Sequence, residues 1–403
     1  MTTHGPDIII IGGGAAGLAA AISAAQSSAR DTVLETAKRV GQKILKTGNG
    51  RCNLTNMHVA PCDYNSPDFV APVITALPAS QVLRFFDALG LMTFEESQGR
   101  VYPLSNAANS VLDTLRNACA RLGVNIECER EATGIKAASN GTGYQLACSD
   151  GSSWQASRVI IATGGGTRLL EQLGHRIEPF APVLCPLKTD TTPLKGLSGV
   201  RAHALVRAYR DANANESIAC EEGEVLFRDY GVSGIVIFDM SRFANSGDWL
   251  ALDFLPFMGA DEFADWLAGA LKGMRAVAGD NGISAPSLSE LMTGVFQRRV
   301  NDAIIRAAGY RPADPANEEA LPTIAAAAKD FRLQVMGPGD AKQAQVTRGG
   351  AALDEFDATT LESKLAPGVF ACGETLDIDA RCGGYSLHWA WASGITAGKE
   401  TAR

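Results

Sequence analysis

The sequence reads as an α/β fold whose first domain is interrupted by a long insert and completed at the C-terminus. Three observations predict it. A strand–glycine-turn–helix–strand signature occupies residues 7–35. Near residue 190 the texture changes to turn-separated apolar strands followed by helices. A glycine-rich register then returns near residue 340. The expected domains are 1–189, an insert 190–339 (190–257 mainly β, 258–339 mainly helical), and 340–403.

The opening run Asp7-Ile8-Ile9-Ile10-Ile11 is apolar and bounded by glycine, which is the pattern of a buried strand. Leu18 to Gln26 has no breaker and many good helix formers. Thr32 to Glu35 reads as the second strand. Between the first strand and the helix, Gly12, Gly14 and Gly17 have G-x-G-x-x-G spacing in the strand–turn–helix context the motif requires. Gly12 suits the tight turn, Gly14 close approach of backbone to a pyrophosphate, and Gly17 close packing of helix on strand. The helix N-terminus adds N–H groups and a partial positive charge. Glu35 lies eighteen residues after Gly17, at a strand end where a carboxylate accepts from ribose hydroxyls and repels a 2′-phosphate. The motif alone leaves NAD and FAD open.

Net charge is −8, which argues against broad phosphate-backbone binding. The 46% hydrophobic and 20% charged residues are ordinary for a globular protein, and no apolar run reaches the roughly eighteen residues of a membrane span. The N-terminus shows no signal-peptide pattern. Nine cysteines without a C-x-x-C pair fit reduced thiols better than a disulfide framework or zinc site, so a cytoplasmic location is expected.

After Glu35 comes a basic loop with Lys38, Arg39, Lys43, Lys46 and Arg51. A solvated charged loop would account for the cations. Gly48-Asn49-Gly50-Arg51-Cys52-Asn53, however, sets two glycines beside an arginine able to clamp a phosphate or carboxylate, so cofactor contact is expected from this loop. Pro78–Leu89 reads as a helix capped at Ser80, and Asn109–Leu122 as a helix ended by Gly123. Val124–Glu129 reads as a strand, and Tyr144–Cys148 with Trp154–Ala156 as a hairpin. Arg158–Ala162 is a buried strand ending in Thr163-Gly164; lacking the full spacing, it reads as a strand end beside a cofactor rather than a second nucleotide motif. Val200–Tyr209 and Gly223–Met240 suggest antiparallel strands, whereas Asp261–Ala308 and Pro322–Asp330 are helical. Gly368–Glu374 is a strand ending in Gly373-Glu374, and Ser386–Lys399 a helix entered through Gly383-Gly384.

These features together resemble the two-dinucleotide-binding-domain flavoproteins of the glutathione-reductase type. More closely, the chain is similar to the bacterial flavoprotein family that includes aminoacetone oxidase and BaiN-type bile-acid enone reductases. The matching stretches are residues 50–56, 99–103, 223–227, 345–350, 361–364 and 373–390. The resemblance implies a Rossmann-like FAD-binding domain split by an inserted β-barrel-like and helical domain. It assigns Gly12, Gly14, Ala15 and Ala16 to the pyrophosphate and Glu35 to the adenosine ribose. Ala132 comes near adenine, and Ala162, Thr163 and Gly164 along the cofactor. Lys43 belongs to the cofactor-contacting loop, and Arg51, Cys52 and Asn53 approach the isoalloxazine region. Gly373 and Glu374 hold the ribityl and pyrophosphate part, and Gly384, Tyr385, Ser386 and Leu387 the pyrimidine edge. Two stretches depart from the family. Gly166-Thr167-Arg168 runs directly into a helix-like segment, and Arg228-Asp229 and Ser233-Gly234-Ile235 stand where members often carry Thr-His and Ser-Gly-Pro. Both departures fall on the expected substrate side, where transfer of a relative's substrate is unsafe.

The implied function is FAD-dependent oxidoreduction of a small or medium organic molecule. It takes the form of an NAD(P)H-linked reductase, with the donor bound transiently for want of a second fingerprint, or of an oxygen-linked amine oxidase. Tyr102, Cys52, Arg381 and His388 bear groups able to donate or accept a proton; Cys52 also reads as a small core hydrophobe and His388 as a satisfied helix histidine, so no catalytic residue is assigned. A flavin-dependent RNA-modifying protein is the rival reading, lacking an evident basic face. A non-catalytic flavin-binding module is another. The expected partner is a small-molecule substrate, with no nucleic acid, membrane or metal.

Overall fold

The computed structural model describes residues 7–139, 141–278, 285–340 and 344–403. The chain forms two compact units. One combines Met1–Ala181 with Thr347–Arg403, and the other is Pro182–Val346.

In the first unit a five-stranded parallel sheet is found among the described residues, in the order Val369–Ala371, Arg158–Ile161, Ile8–Ile11, Asp31–Glu35, Asn125–Cys128. Both faces of the first strand are buried. Ile8 and Ile10 pack with the helix Ala15–Gln26, the helix Ala108–Leu122 and Trp391, while Ile9 and Ile11 pack with Tyr144, Leu146 and Trp389 on the other side. An uninterrupted isoleucine run, rather than an alternating one, follows from that double burial. The C-terminal strand sits at the sheet edge beside Arg158–Ile161, which puts Gly373-Glu374 level with the glycine turn after the first strand.

The helix Tyr385–Thr401 lies against Ala15–Gln26 in backbone contact. A Cβ on Gly394 would lie 2.3 Å from the Ala16 carbonyl oxygen, and one on Gly398 2.2 Å from that of Ala20. These two glycines are one turn apart, so they form a groove into which the Ala-rich helix settles.

The second unit holds a closed barrel of Leu187–Thr189, Gly231–Ser233, Ala219–Arg228, Arg201–Tyr209, Trp249–Asp253 and Phe331–Pro338, with the helices Ala260–Ala278, Arg298–Ala307 and Leu321–Lys329 beside it. Leu205 to Tyr209 pair with Trp249 to Asp253, and Phe331 to Gln334 close the far side of Trp249–Asp253. Three expectations are corrected. The unit spans Pro182–Val346 rather than 190–339, and Leu187–Thr189 is one of its barrel strands. The half expected to be mainly helical is so, and it also contributes the strand Phe331–Pro338. Residues Ile235–Met240 are a helix, not a strand; Gly234 at φ +107° breaks the strand and starts it. Finally, the helix expected to be capped by Ser80 begins at Ala79 after Pro78 and has no side-chain cap.

Among the described residues no single helix is long and apolar enough to cross a membrane.

Candidate functional site

The glycine turn is closely packed against backbone carbonyls, one of its own and one of the neighbouring strand end. Gly12 takes φ +105°, and a Cβ there would lie 2.4 Å from the Ala162 carbonyl oxygen; a Cβ on Gly17 would lie 1.9 Å from the Gly12 carbonyl oxygen. Around Gly14 nothing would meet a Cβ within 4 Å. The turn is thus tight below and open above, at the N-terminus of Ala15–Gln26, where Gly14 is the N-cap without a side-chain cap and the first turn holds no acid. The amides of Ala15 and Ala16 belong to that positive end. Glu35 ties the turn to the second strand: Oε2 accepts the Gly13 N–H at 2.7 Å and Oε1 the Ala37 N–H at 2.8 Å. The Arg130 N–H donates to the Glu35 carbonyl at 2.9 Å, which brings the start of the strand Ala132–Ala137 to the same end of the sheet.

A second cluster joins three distant stretches. Ala162 follows the strand Arg158–Ile161, Thr163 donates to the Gly166 carbonyl, and the Gly164 N–H donates to Thr375 Oγ1 at 3.1 Å. Lys43 Nζ lies 3.7 Å from Glu374 Oε2, and a Cβ on Gly164 would come within 3.2 Å of that ammonium. Burial pushes the Glu374 carboxyl up from the ordinary carboxylate range, and Lys43 pulls it back. Gly373 is fixed through its N–H to Ser393 Oγ at 2.9 Å and its carbonyl to Trp389 Nε1 at 3.1 Å.

The third cluster surrounds the N-terminus of the last helix. Gly384, its N-cap, takes φ +105°; a Cβ there would lie 2.6 Å from the Thr55 carbonyl oxygen and 2.9 Å from Asn53 Oδ1. Asn53 Oδ1 and Ser386 Oγ are both buried and without a hydrogen-bond partner among the described residues. Unpartnered buried polar atoms cost about 1–3 kcal/mol each, so a polar edge placed against this pair would be favoured. The Tyr385 carbonyl accepts from Tyr64 Oη at 3.0 Å, and Leu387 packs into the core.

One sequence expectation changes here, and for Cys52 the reading as a small core hydrophobe holds. Arg51 is paired rather than free: its guanidinium donates to Glu96 Oε1 at 2.8 Å and Asn106 Oδ1 at 2.7 Å and stacks 4.0 Å over the Tyr102 ring. Cys52 is fully buried at φ +59°, and burial pushes its thiol up to about 12, so it is a neutral core side chain. His388 Nδ1 lies 2.7 Å from Thr55 Oγ1. Burial lowers the imidazole to about 4, with the Leu77 backbone pulling it back up, so the ring is neutral near pH 7. Arg381 lies 3.8 Å from Asp63.

Sequence reading also missed a constellation. His175 Nδ1 lies 2.9 Å from Glu355 Oε2, its Nε2 2.9 Å from Ser363 Oγ, and its ring stacks on Phe356. It resembles a hydrolytic triad in connectivity alone. Ser363 Oγ also accepts the Leu365 and Ala366 N–H groups, and the imidazole is buried, so the group fastens the loop before the last strand.

The turn open to an anion, the Glu35 carboxylate and the polar pocket at the last helix fit the phosphates, ribose and ring edge of FAD. The fold and these features define a Rossmann-type FAD-binding domain carrying an inserted antiparallel barrel. The family described as the HI0933-like protein Rossmann domain matches residues 6–400, and the chain belongs to it. The chain is 33% identical, across 98% of both sequences, to 3-dehydro-bile acid Δ(4,6)-reductase of Clostridium scindens. It is 26% identical, across 96% of both, to ribosomal RNA dihydrouridine synthase of Escherichia coli. Among solved structures, 3-ketosteroid Δ1-dehydrogenase of Sterolibacterium denitrificans superposes with TM-score 0.51 at 12% identity, covering 98% of this chain and 99% of that one, a likeness of fold. The chain is an FAD-dependent oxidoreductase.

Proposed function

We propose that the chain reduces a carbon–carbon double bond conjugated to a carbonyl, using NAD(P)H as a transiently bound donor. The observation that carries this reading is the 33% identity, over nearly the full length, to a reductase whose name describes such a bond in a 3-oxo bile acid. Bound FAD would supply the hydride, from N5. Gly12, Gly14, Ala15 and Ala16 hold its pyrophosphate and Glu35 its adenosine ribose, with Ala132 near the adenine. Ala162, Thr163, Gly164, Lys43, Gly373 and Glu374 line the middle of the cofactor. Asn53, Gly384, Tyr385, Ser386 and Leu387 meet the pyrimidine edge, where Asn53 Oδ1 and Ser386 Oγ gain the partners they lack. Cys52 supports this region by packing, and Arg51 by holding Tyr102 in place.

A second reading keeps the chemistry and changes the substrate. Uracil also contains a double bond conjugated to a carbonyl, and the 26% identity to a ribosomal RNA dihydrouridine synthase favours uridine in RNA. The amine-oxidase alternative has no such support.

The test is anaerobic reduction of the FAD-loaded protein. Bleaching by NADH or NADPH, with colour restored by a 3-oxo-Δ4 steroid acid or by a uridine-containing RNA, supports the reductase. Bleaching only by an amine, with peroxide on re-oxidation, would establish the oxidase instead.

A further inference from the structure

We propose that the inserted unit carries a docking surface for an RNA strand, built from Lys195, Arg298, Arg299 and Arg306. This rests on the uridine reading above and names its partner surface. All four side chains are exposed, and none makes an ion pair among the described residues, although the whole chain carries a net charge of −8. They are held together by main-chain contacts. Arg306 Nη2 donates to the Lys195 carbonyl at 2.8 Å, and Arg299 Nη1 donates to the Ser198 carbonyl at 3.2 Å. Gln297, just before the helix, donates to the Arg201 carbonyl at 3.2 Å. The loop 195–198 and the helix Arg298–Ala307 thus form one patch, and each guanidinium keeps further N–H groups for a phosphate.

The placement is unfavourable without an anion. Arg298 and Arg299 occupy the first turn of their helix, where the dipole is already positive and no acidic residue compensates. Asp302, the carboxylate on that helix, accepts from Ser289 Oγ at 2.8 Å instead of pairing with an arginine. The patch also lacks an apolar anchor. None of the exposed large hydrophobic side chains of this unit falls within 191–201 or 292–311. A membrane surface would call for both charge and apolar insertion, whereas a phosphate backbone needs the cations alone. The basic face that the sequence did not reveal arises because residues a hundred apart in the chain converge.

The test uses the FAD-loaded full chain and a fluorescein-labelled, uridine-containing RNA hairpin, read by anisotropy. Four phosphate contacts predict an affinity loss of about 50-fold between about 50 and 200 mM salt. The variant Lys195→Ala/Arg298→Ala/Arg299→Ala/Arg306→Ala should bind at least about tenfold more weakly at low salt and show a flattened salt dependence, with its flavin content unchanged. Each single alanine variant, should the combination not fold, should shift the slope by about one. No RNA binding by the parent at low salt, equal binding by the variants, or capture by anionic vesicles in place of RNA overturns the proposal. The binding readout requires no turnover, so loss of RNA binding and failure of the reductase reading are read separately.

Discussion

Glu35 accepts from the amides of Gly13 and Ala37, so it shapes the glycine turn, and the proposed function adds a ribose to its partners. Glu35→Ala should weaken FAD binding by about ten- to a hundredfold, the loss expected for a charged acceptor, in a flavin-fluorescence titration. Retained affinity would remove Glu35 from the site. Asp31, at the other end of the same strand, is 5% exposed; its Oδ2 has no partner among the described residues, and burial raises it to about 7. Because the folded state holds this proton more tightly than an unfolded aspartate does, stability should fall as pH rises from about 4 to about 7 and then level off. Asp31→Asn should therefore stabilise the protein by about 1–3 kcal/mol at pH 8 and have little effect near pH 3, measured by urea titration at both. A gain independent of pH would count against this account. The glycine turn and Glu35 were legible in sequence because their spacing is local. The engagement of Arg51 by Glu96 and Asn106 was not, since it depends on loops about fifty residues away.

Elements with strong local patterns were readable: the isoleucine strand, the Ala162 strand end, and the helix closed by Gly123 at φ +76°. Ile235–Met240 misled because β-branched residues favour strands when read locally, whereas burial against the barrel makes that segment a helix. Phe331–Pro338 was hidden because its partners, Leu187–Thr189 and Trp249–Asp253, lie far off in sequence. Gly394 and Gly398 gave no signal in isolation; their role exists only against Ala16 and Ala20. Since any Cβ there strikes backbone rather than a movable side chain, Gly394→Ala should cost about 1–3 kcal/mol by chemical denaturation. It should also weaken flavin retention, because the displaced helix carries Ser386 and Gly384. An unchanged denaturation midpoint would mean that the two helices separate at no cost.

At the scale of the whole molecule, residues 12–53 and 373–387 come from opposite ends of the chain yet belong to one compact unit. Two relatives carry names that describe substrates as different as a bile acid and ribosomal RNA. For this chain the proposed reaction is reduction of a double bond beside a carbonyl. Its most direct measurement is stopped-flow absorbance of the anaerobic, FAD-loaded protein. NADPH or NADH should bleach the flavin band, and a conjugated enone or a uridine-containing RNA should restore it without oxygen. A flavin that nicotinamide donors do not bleach, or that only oxygen re-oxidises, would contradict the account.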